Sequence, residues 1–280
     1  MLSVRTVRVG DVEVAILRDT SIPNPVEEAV PAGAVEALRR DYPELIADDG
    51  RIWVPVTCYL VRTPQRTVLV DSGVGPRPRW DWGTGSLDAR LREIGVSPTE
   101  VDLVVNTHFH DDHVGWNTVD GEDGSPRPFF PRAQFVWQQT EWDYWVQPER
   151  MAEAHNEYIA ECVGALANAN VSFVDGEAAI TPELTFVATP GHTPGHVAIG
   201  IQSAGERALI VGDASHFEAQ LEHPDWSPSW DVDPDLAADT RRSLFDRISG
   251  DGTVLMAGHW PFPGYGRVIR LADRRVFQAG

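Results

Sequence analysis

The segment Thr107-His108-Phe109-His110-Asp111-Asp112-His113 constrains this chain more than any other, because it crowds three imidazoles and two carboxylates directly behind the apolar run Val101 to Val105. The run predicts a buried strand. Histidines at i and i+2 on an extended chain point to the same side, and the turn that follows can bring Asp112 and His113 to a second position. Such a loop can wrap two adjacent metal ions. Imidazole and carboxylate ligands suit Zn, Fe, Mn or Co, and the spacing does not choose among them.

Three further strand ends finish in metal-competent side chains. His192 lies in the Gly/Pro turn of Ala188-Thr189-Pro190-Gly191-His192-Thr193-Pro194-Gly195-His196, Asp213 closes Val211-Gly212-Asp213, and His259 closes Met256-Ala257-Gly258-His259. A lone histidine is ordinarily a surface or hydrogen-bonded core residue. Recurrence at four strand ends, where rigid scaffolds carry their functional loops, points instead to a metal site.

Composition narrows the partners. Across 280 residues, 42 acids face 23 cations for a net charge of -19, and every cation is arginine. Duplex nucleic acid and anionic membranes demand a basic footprint and are excluded as expected partners. The absence of lysine removes Schiff-base chemistry, a lysine general base and a phosphate-loop lysine. Cys58 and Cys162 are too few for a disulfide framework and read as buried, reduced thiols. No apolar stretch reaches the roughly 18 residues of a membrane helix. Met1 to Asp11 alternates like a first strand and lacks a signal-peptide core, which makes the cytoplasm the expected location.

Along the chain, Ser3 to Val9 and Val12 to Leu17 predict an opening hairpin. Residues 19–52 turn to Pro, Ala and acids and predict an irregular N-terminal excursion, a candidate lid. Strands follow at Trp53 to Arg62, Thr67 to Val70, Val101 to Val105 and Gln134 to Gln138, with a helix at Leu87 to Ile94 and a mostly helical stretch from Thr140 to Ala167. Val171 to Val174, Leu184 to Ala188, His196 to Ile201, Ala208 to Val211, Val254 to Ala257 and Val268 to Leu271 supply a second group, with a helix at Asp235 to Ile248. Two groups of strands, each followed by helices, predict a single α/β domain over 1–280 in which two sheets pack face to face with helices outside.

The residues quoted above resemble the metallo-β-lactamase superfamily, whose signature is H-x-H-x-D-H and whose fold is an αββα sandwich. The resemblance runs from about Thr67 to His259. It implies a dinuclear centre in which His108, His110 and His192 hold one divalent ion, Asp112, His113 and His259 hold the other, and Asp213 bridges them; zinc is the first choice of metal, with Mn, Co or Fe as alternatives. Asp71, in Val70-Asp71-Ser72-Gly73, looks like the family's aspartate that supports the ligand loop. Flavo-diiron reductases carry Glu where His110 stands, RNA-processing relatives need a basic surface, and glutathione-thioester hydrolases need basic C-terminal residues. His113-Val114-Gly115-Trp116-Asn117, Phe130-Pro131-Arg132-Ala133 and Gly212-Asp213-Ala214-Ser215-His216 are similar to the quorum-quenching lactonases and organophosphate-hydrolase-like enzymes.

That resemblance implies a metal-dependent hydrolase opening a lactone or carboxylic ester by attack of a metal-bridging hydroxide. Asp112 or His216 returns the proton to the leaving oxygen; a second-order hydrogen-bonding role for His216 stands beside that one. The competing readings are a mononuclear iron persulfide-dioxygenase-like enzyme, a hydrolase of thioesters or phosphotriesters, and a non-catalytic metal-binding module. His196 is expected to hold its turn, and His155 and His223 to be surface or helix residues. Any one of Trp116, Trp137, Trp142 and Trp145 reads first as core packing, but together they suggest a pocket wall for a small-molecule substrate with an apolar portion, capped by Tyr42 and Trp53. Aromatic surface elsewhere is compatible with a homodimer.

Overall fold

The computed structural model describes residues 3–78, 82–153, 156–272 and 274–280. The alternating N-terminus forms the hairpin of β1 (Val4–Val9) and β2 (Val12–Pro25), with Val9 opposite Val12. β2 continues well beyond Leu17, pairing along its whole length with β3 (Arg51–Arg62) and interrupted by one bulge between Arg18 and Thr20. The N-terminal excursion is therefore strand at both ends, and only residues 26–50 are short helices and turns. The prolines that suggested irregularity, Pro23 and Pro25, sit at the strand end opposite Trp53 and Arg51.

β4 (Thr67–Val70) pairs antiparallel with β3, and β5 (Leu103–Val105) lies parallel to β4. A small ribbon of β6 (Thr118–Asp120) and β7 (Pro126–Pro128) stands apart, after which β8 (Gln134–Gln138) and β9 (Val171–Val174) extend the parallel half of the first sheet. Its order is β1-β2-β3-β4-β5-β8-β9. The second sheet runs β10 (Ala178–Ala179), β11 (Leu184–Ala188), β12 (Val197–Ser203), β13 (Glu206–Ile210), β14 (Val254–Met256), β15 (Tyr265–Leu271) and β16 (Arg274–Ala279), neighbours in that order, with β13 and β14 parallel. β16 was not anticipated, because Arg274 and Arg275 disguise it as a polar tail.

Strand alternation sorts the apolar residues into layers. Val14, Ile16, Val68, Val70 and Val105 meet Phe186, Ile199, Ile210 and Met256 between the sheets. The opposite faces bury Leu17, Leu60, Leu69 and Val104 against Leu87, Leu91 and Ile159 on one side, and Ala198, Leu209 and Leu255 against Leu244, Phe245 and Ile248 on the other. The result is the αββα sandwich. Helix Pro234–Ile248 starts where Asp233 accepts a hydrogen bond from the Leu236 N–H and Pro234 fills the first turn, as N-caps and N1 prolines do. The stretch 140–167 breaks into Gln139–Trp145, Pro148–Met151 and Glu157–Cys162, with Pro148 starting a new turn. Cys58 and Cys162 are both buried, and no disulfide joins them. His155 lies outside the described residues. Among those described, no helix is long and apolar enough to cross a membrane.

The layers put the site on one rim. The carboxyl ends of β4, β5, β13 and β14 open there, followed by Asp71, residues 106–113, Asp213 and His259 respectively, and the β11–β12 turn adds His192. The Val197 N–H donates to the Thr107 carbonyl at 3.0 Å and ties the rims of the two sheets together.

Candidate metal centre

Three imidazole nitrogens converge at the rim: His108 Nε2 and His110 Nδ1 are 3.0 Å apart, and His192 Nε2 stands 3.1 and 2.9 Å from them. The far side of two of these rings fixes which nitrogens carry hydrogen. Asp231 Oδ1 lies 2.8 Å from His192 Nδ1 and requires an N–H there. The Thr107 hydroxyl donates to Asp71 Oδ2 at 2.9 Å and so is left to accept from His108 Nδ1, 3.1 Å away. His108 Nε2 and His192 Nε2 therefore face each other with lone pairs. Three nitrogens in a closed triangle cannot all pair as donor and acceptor, whereas one cation satisfies all three. Tetrahedral bonds of about 2.05 Å place nitrogens about 3.3 Å apart, close to what is found.

The electrostatics agree with a set of neutral donors. Burial drives His108 well below the ordinary histidine range, and burial together with His192 brings His110 to about 3, the response expected of desolvated imidazoles.

A second cluster faces the first. His113 Nε2 and His259 Nε2 are 3.3 Å apart, and Asp112 Oδ2 stands 3.5 and 3.6 Å from them. His113 Nδ1 is held at 2.9 Å by Asp71, which also accepts the Thr107 N–H at 2.7 Å, and His259 Nδ1 donates to the Pro55 carbonyl at 2.7 Å. Burial disfavours charge on both rings, but Asp213 and Asp112 outweigh it and raise both histidines. Asp112 is likewise opposed by burial, yet His113 and His259 hold its carboxyl at about 2.

Asp213 joins the clusters. Its Oδ1 lies 3.1 Å from His113 Nε2 and 3.0 Å from His259 Nε2, and its Oδ2 lies 3.3 Å from His192 Nε2. Buried Oδ1 accepts no hydrogen bond among the described residues, an orphan that a cation between Asp213 and the two rings removes. The donor atoms of His108, His110, His192 and Asp213, and those of Asp112, His113 and His259, each fall within 4.8 Å of one another. All seven residues singled out in the sequence thus meet in two adjoining groups.

His196 keeps to its turn, close to Thr189, and its Nε2 accepts the Asp213 N–H at 2.9 Å. His223 is half-buried and stacks on Trp226 at 4.0 Å. His216 reaches the site: Nε2 lies 3.1 Å from Asp213 Oδ2 and 3.2 Å from the Trp230 indole nitrogen, and burial lowers its pKa, leaving the ring neutral. Asp231, Arg241 and Trp230 escaped the sequence reading.

A cavity of 260 Å³ opens on Asp112, Asp213, His216 and His259, with Ile22, Val54, Trp82 and Trp230 as apolar wall. Its lining contains no arginine among the described residues. The expected wall of Trp116, Trp137, Trp142 and Trp145 is corrected here. Trp116, Trp137 and Trp145 are buried in the core outside the first sheet, with Trp142 packed against it, because the helix Gln139–Trp145 turns its apolar face to that sheet. Trp82 and Trp230 take their place. Tyr42 packs edge-on against His223 and Trp226 rather than over the cavity. Trp53 lines a neighbouring cavity of 360 Å³ that shares Val54, His216 and His259 with the first.

The family model of the metallo-beta-lactamase superfamily matches residues 51–259. The chain belongs to this superfamily. An N-acyl homoserine lactonase of Bacillus cereus is 24% identical over 248 residues, covering 82% of this chain and 91% of the relative. The N-acyl homoserine lactonase AttM of Azorhizobium caulinodans is 27% identical over 253 residues, covering 76% and 87%. Among solved structures, AidC, a dizinc quorum-quenching lactonase in complex with a product, N-hexanoyl-L-homoserine, is 26% identical with a TM-score of 0.84, covering 99% of this chain and 97% of that one. The two groups of side chains at the rim, His108, His110, His192 and Asp213 on one side and Asp112, His113 and His259 on the other, could each hold a metal ion.

Proposed function

We propose that this chain is a dinuclear metal-dependent hydrolase that opens neutral lactones or carboxylic esters carrying an apolar acyl portion, N-acyl homoserine lactones foremost. The observation that carries the reading is Asp213, whose two carboxylate oxygens are divided between a three-imidazole cluster and an Asp/His/His cluster. His108, His110 and His192 would hold one ion, Asp112, His113 and His259 the other, and Asp213 both. Zinc fits this donor set, as do Mn, Co and Fe. Two divalent ions bound there supply a water of lowered pKa as nucleophile and polarise the substrate carbonyl.

The chain's own residues do the rest. Asp112, ionised at neutral pH and lining the cavity, takes a proton from the attacking water and returns it to the leaving oxygen. His216 presents a neutral imidazole to the same cavity beside Asp213. Ile22, Val54, Trp82 and Trp230 receive the apolar part of the substrate and exclude water. Among the described residues the lining carries Glu28, Asp111 and Asp112 and no arginine. A mononuclear iron oxygenase needs only one cluster and leaves the other without a purpose.

The test is proton release by the Zn-, Mn- and Co-loaded protein on acyl-homoserine lactones, simple lactones, aryl esters and a phosphotriester, with His108→Ala as blank. Ring opening lost in the variant is the expected result. Full turnover by metal-depleted protein would overturn the proposal.

A further inference from the structure

Every ring of the two clusters has its outer nitrogen held by a neighbour except one. Thr107, Asp231, Asp71 and Pro55 serve His108, His192, His113 and His259, whereas His110 turns Nδ1 to the cluster and its Nε2 has no hydrogen-bond partner among the described residues. The outer partner of a metal-binding histidine ordinarily sets its orientation. What sets His110 must act by another route.

Glu141 offers that route. It is 1% exposed, lies outside both clusters, and accepts four hydrogen bonds. Oε1 takes the Phe109 N–H at 3.0 Å and the Trp145 indole N–H at 2.7 Å, and Oε2 takes the Thr193 hydroxyl at 2.8 Å and the Gly195 N–H at 3.0 Å. Phe109 lies between His108 and His110, and Thr193 follows His192. One carboxylate thus clamps the backbone immediately beside all three imidazoles of the first cluster, at Phe109 and at Thr193, whereas Asp112 and His113 lie further along the first of these segments and His259 lies on neither. The indole it holds packs edge-on against the His110 ring, centroids 5.4 Å apart. The approach is close enough to demand glycine at 195, where a methyl group would overlap the Glu141 backbone nitrogen.

We propose that Glu141 is the positioning residue of the His108/His110/His192 cluster, holding the two turns in register and, through Trp145, fixing the ring of His110 in place of a direct hydrogen-bond partner. The proposal rests on the two-ion reading above. Burial of a carboxylate is costly unless its oxygens are fully satisfied. Glu141→Gln keeps the shape but turns an NH2 group against hydrogen-bond donors on one of its two sides, loosening the clamp.

Zinc affinity, read by competition with a chromophoric chelator, tests this in single-cluster backgrounds. His259→Ala keeps the three-imidazole cluster, and His110→Ala keeps the other. Glu141→Gln is expected to weaken zinc by about 10- to 100-fold in the first background and less than about twofold in the second. Trp145→Phe, which removes one of the four bonds and keeps an aromatic ring, is expected to weaken the same cluster by a smaller factor, and decides alone if Glu141→Gln does not fold. Equal weakening in both backgrounds, or none in the first, overturns the proposal. Zinc content of the wild-type chain separates the two claims: fewer than two equivalents defeats the two-ion reading, while two equivalents with an indifferent Glu141→Gln defeats only the role of Glu141.

Discussion

Asp231 stands between His192 and Arg241, with Oδ1 2.8 Å from His192 Nδ1 and Oδ2 3.3 Å from the guanidinium. Arg241 is fully buried and also donates to the carbonyls of Ala214 and Pro224. Burial alone would raise Asp231, but His192 and Arg241 bring it to about 2. Asp231→Ala strands a buried guanidinium and should cost roughly 3–5 kcal/mol, measured by denaturant unfolding. Asp231→Asn keeps an acceptor for His192 while weakening the tie to Arg241, so it should fold and bind metal about tenfold more weakly. Undiminished metal affinity in Asp231→Asn would rule out the orienting role.

Why Asp231 was invisible in the sequence is physical. The segment 227–233 meets the 190–193 turn only through tertiary packing, where the Val232 and Asp233 N–H groups donate to His192 and Gly191. The seven cluster residues were legible because strand ends fix them locally: two spaced His on an extended chain, a Gly/Pro turn, and two carboxyl ends of apolar strands. The strand Thr67–Val70 was equally plain from its β-branched run. The far half of β2 was not, because its pairing with β3 depends on a bulge at Arg18 that only the partner strand reveals. Trp137 and Trp142 misled because nearness in sequence to His113 is not nearness in space once β8 and the helix Gln139–Trp145 carry them to the outer core of the first sheet.

That bulge buries Asp19. Its carboxylate accepts the N–H groups of Val74, Ser86 and Leu87 at 2.9, 2.6 and 2.6 Å, yet burial outweighs these bonds and raises it from 3.8 to about 6. The folded chain therefore binds this proton more tightly than the unfolded chain does. Between about pH 4 and 6 this group makes stability fall as pH rises, by up to about 3 kcal/mol in all. Comparing unfolding midpoints of wild type and Asp19→Asn across that range should show the slope only in wild type. Parallel curves would refute the shift.

Trp82 lines the cavity together with Ile22, Val54 and Trp230. If it receives the acyl portion of the substrate, Trp82→Ala removes some 50 Å² of apolar contact, about 1.3 kcal/mol at ~25 cal/mol/Å², or roughly tenfold in KM for long-chain substrates. kcat and short-chain KM should change little. A uniform fall in kcat for all chain lengths would place Trp82 in the chemistry rather than in acyl binding.

Metal removal should act on stability as well as on turnover. His108 Nε2 and His192 Nε2 present lone pairs to each other at 3.1 Å, and buried Asp213 Oδ1 accepts no hydrogen bond among the described residues. A ligand that binds only the folded chain stabilises it by about 4 kcal/mol when present at 1,000 times its Kd, so stripping two such ions with a chelator should lower Tm by roughly 10 °C or more in a chain this size. Restoring zinc should recover both Tm and lactone hydrolysis. Asp213→Ala should show a low Tm that zinc raises clearly less than in wild type, because the variant loses the one carboxylate among the described residues that both clusters share. A zinc-dependent rise of wild-type size in that variant would show that the two clusters do not depend on Asp213, and would break the link between its divided carboxylate and the two-ion centre.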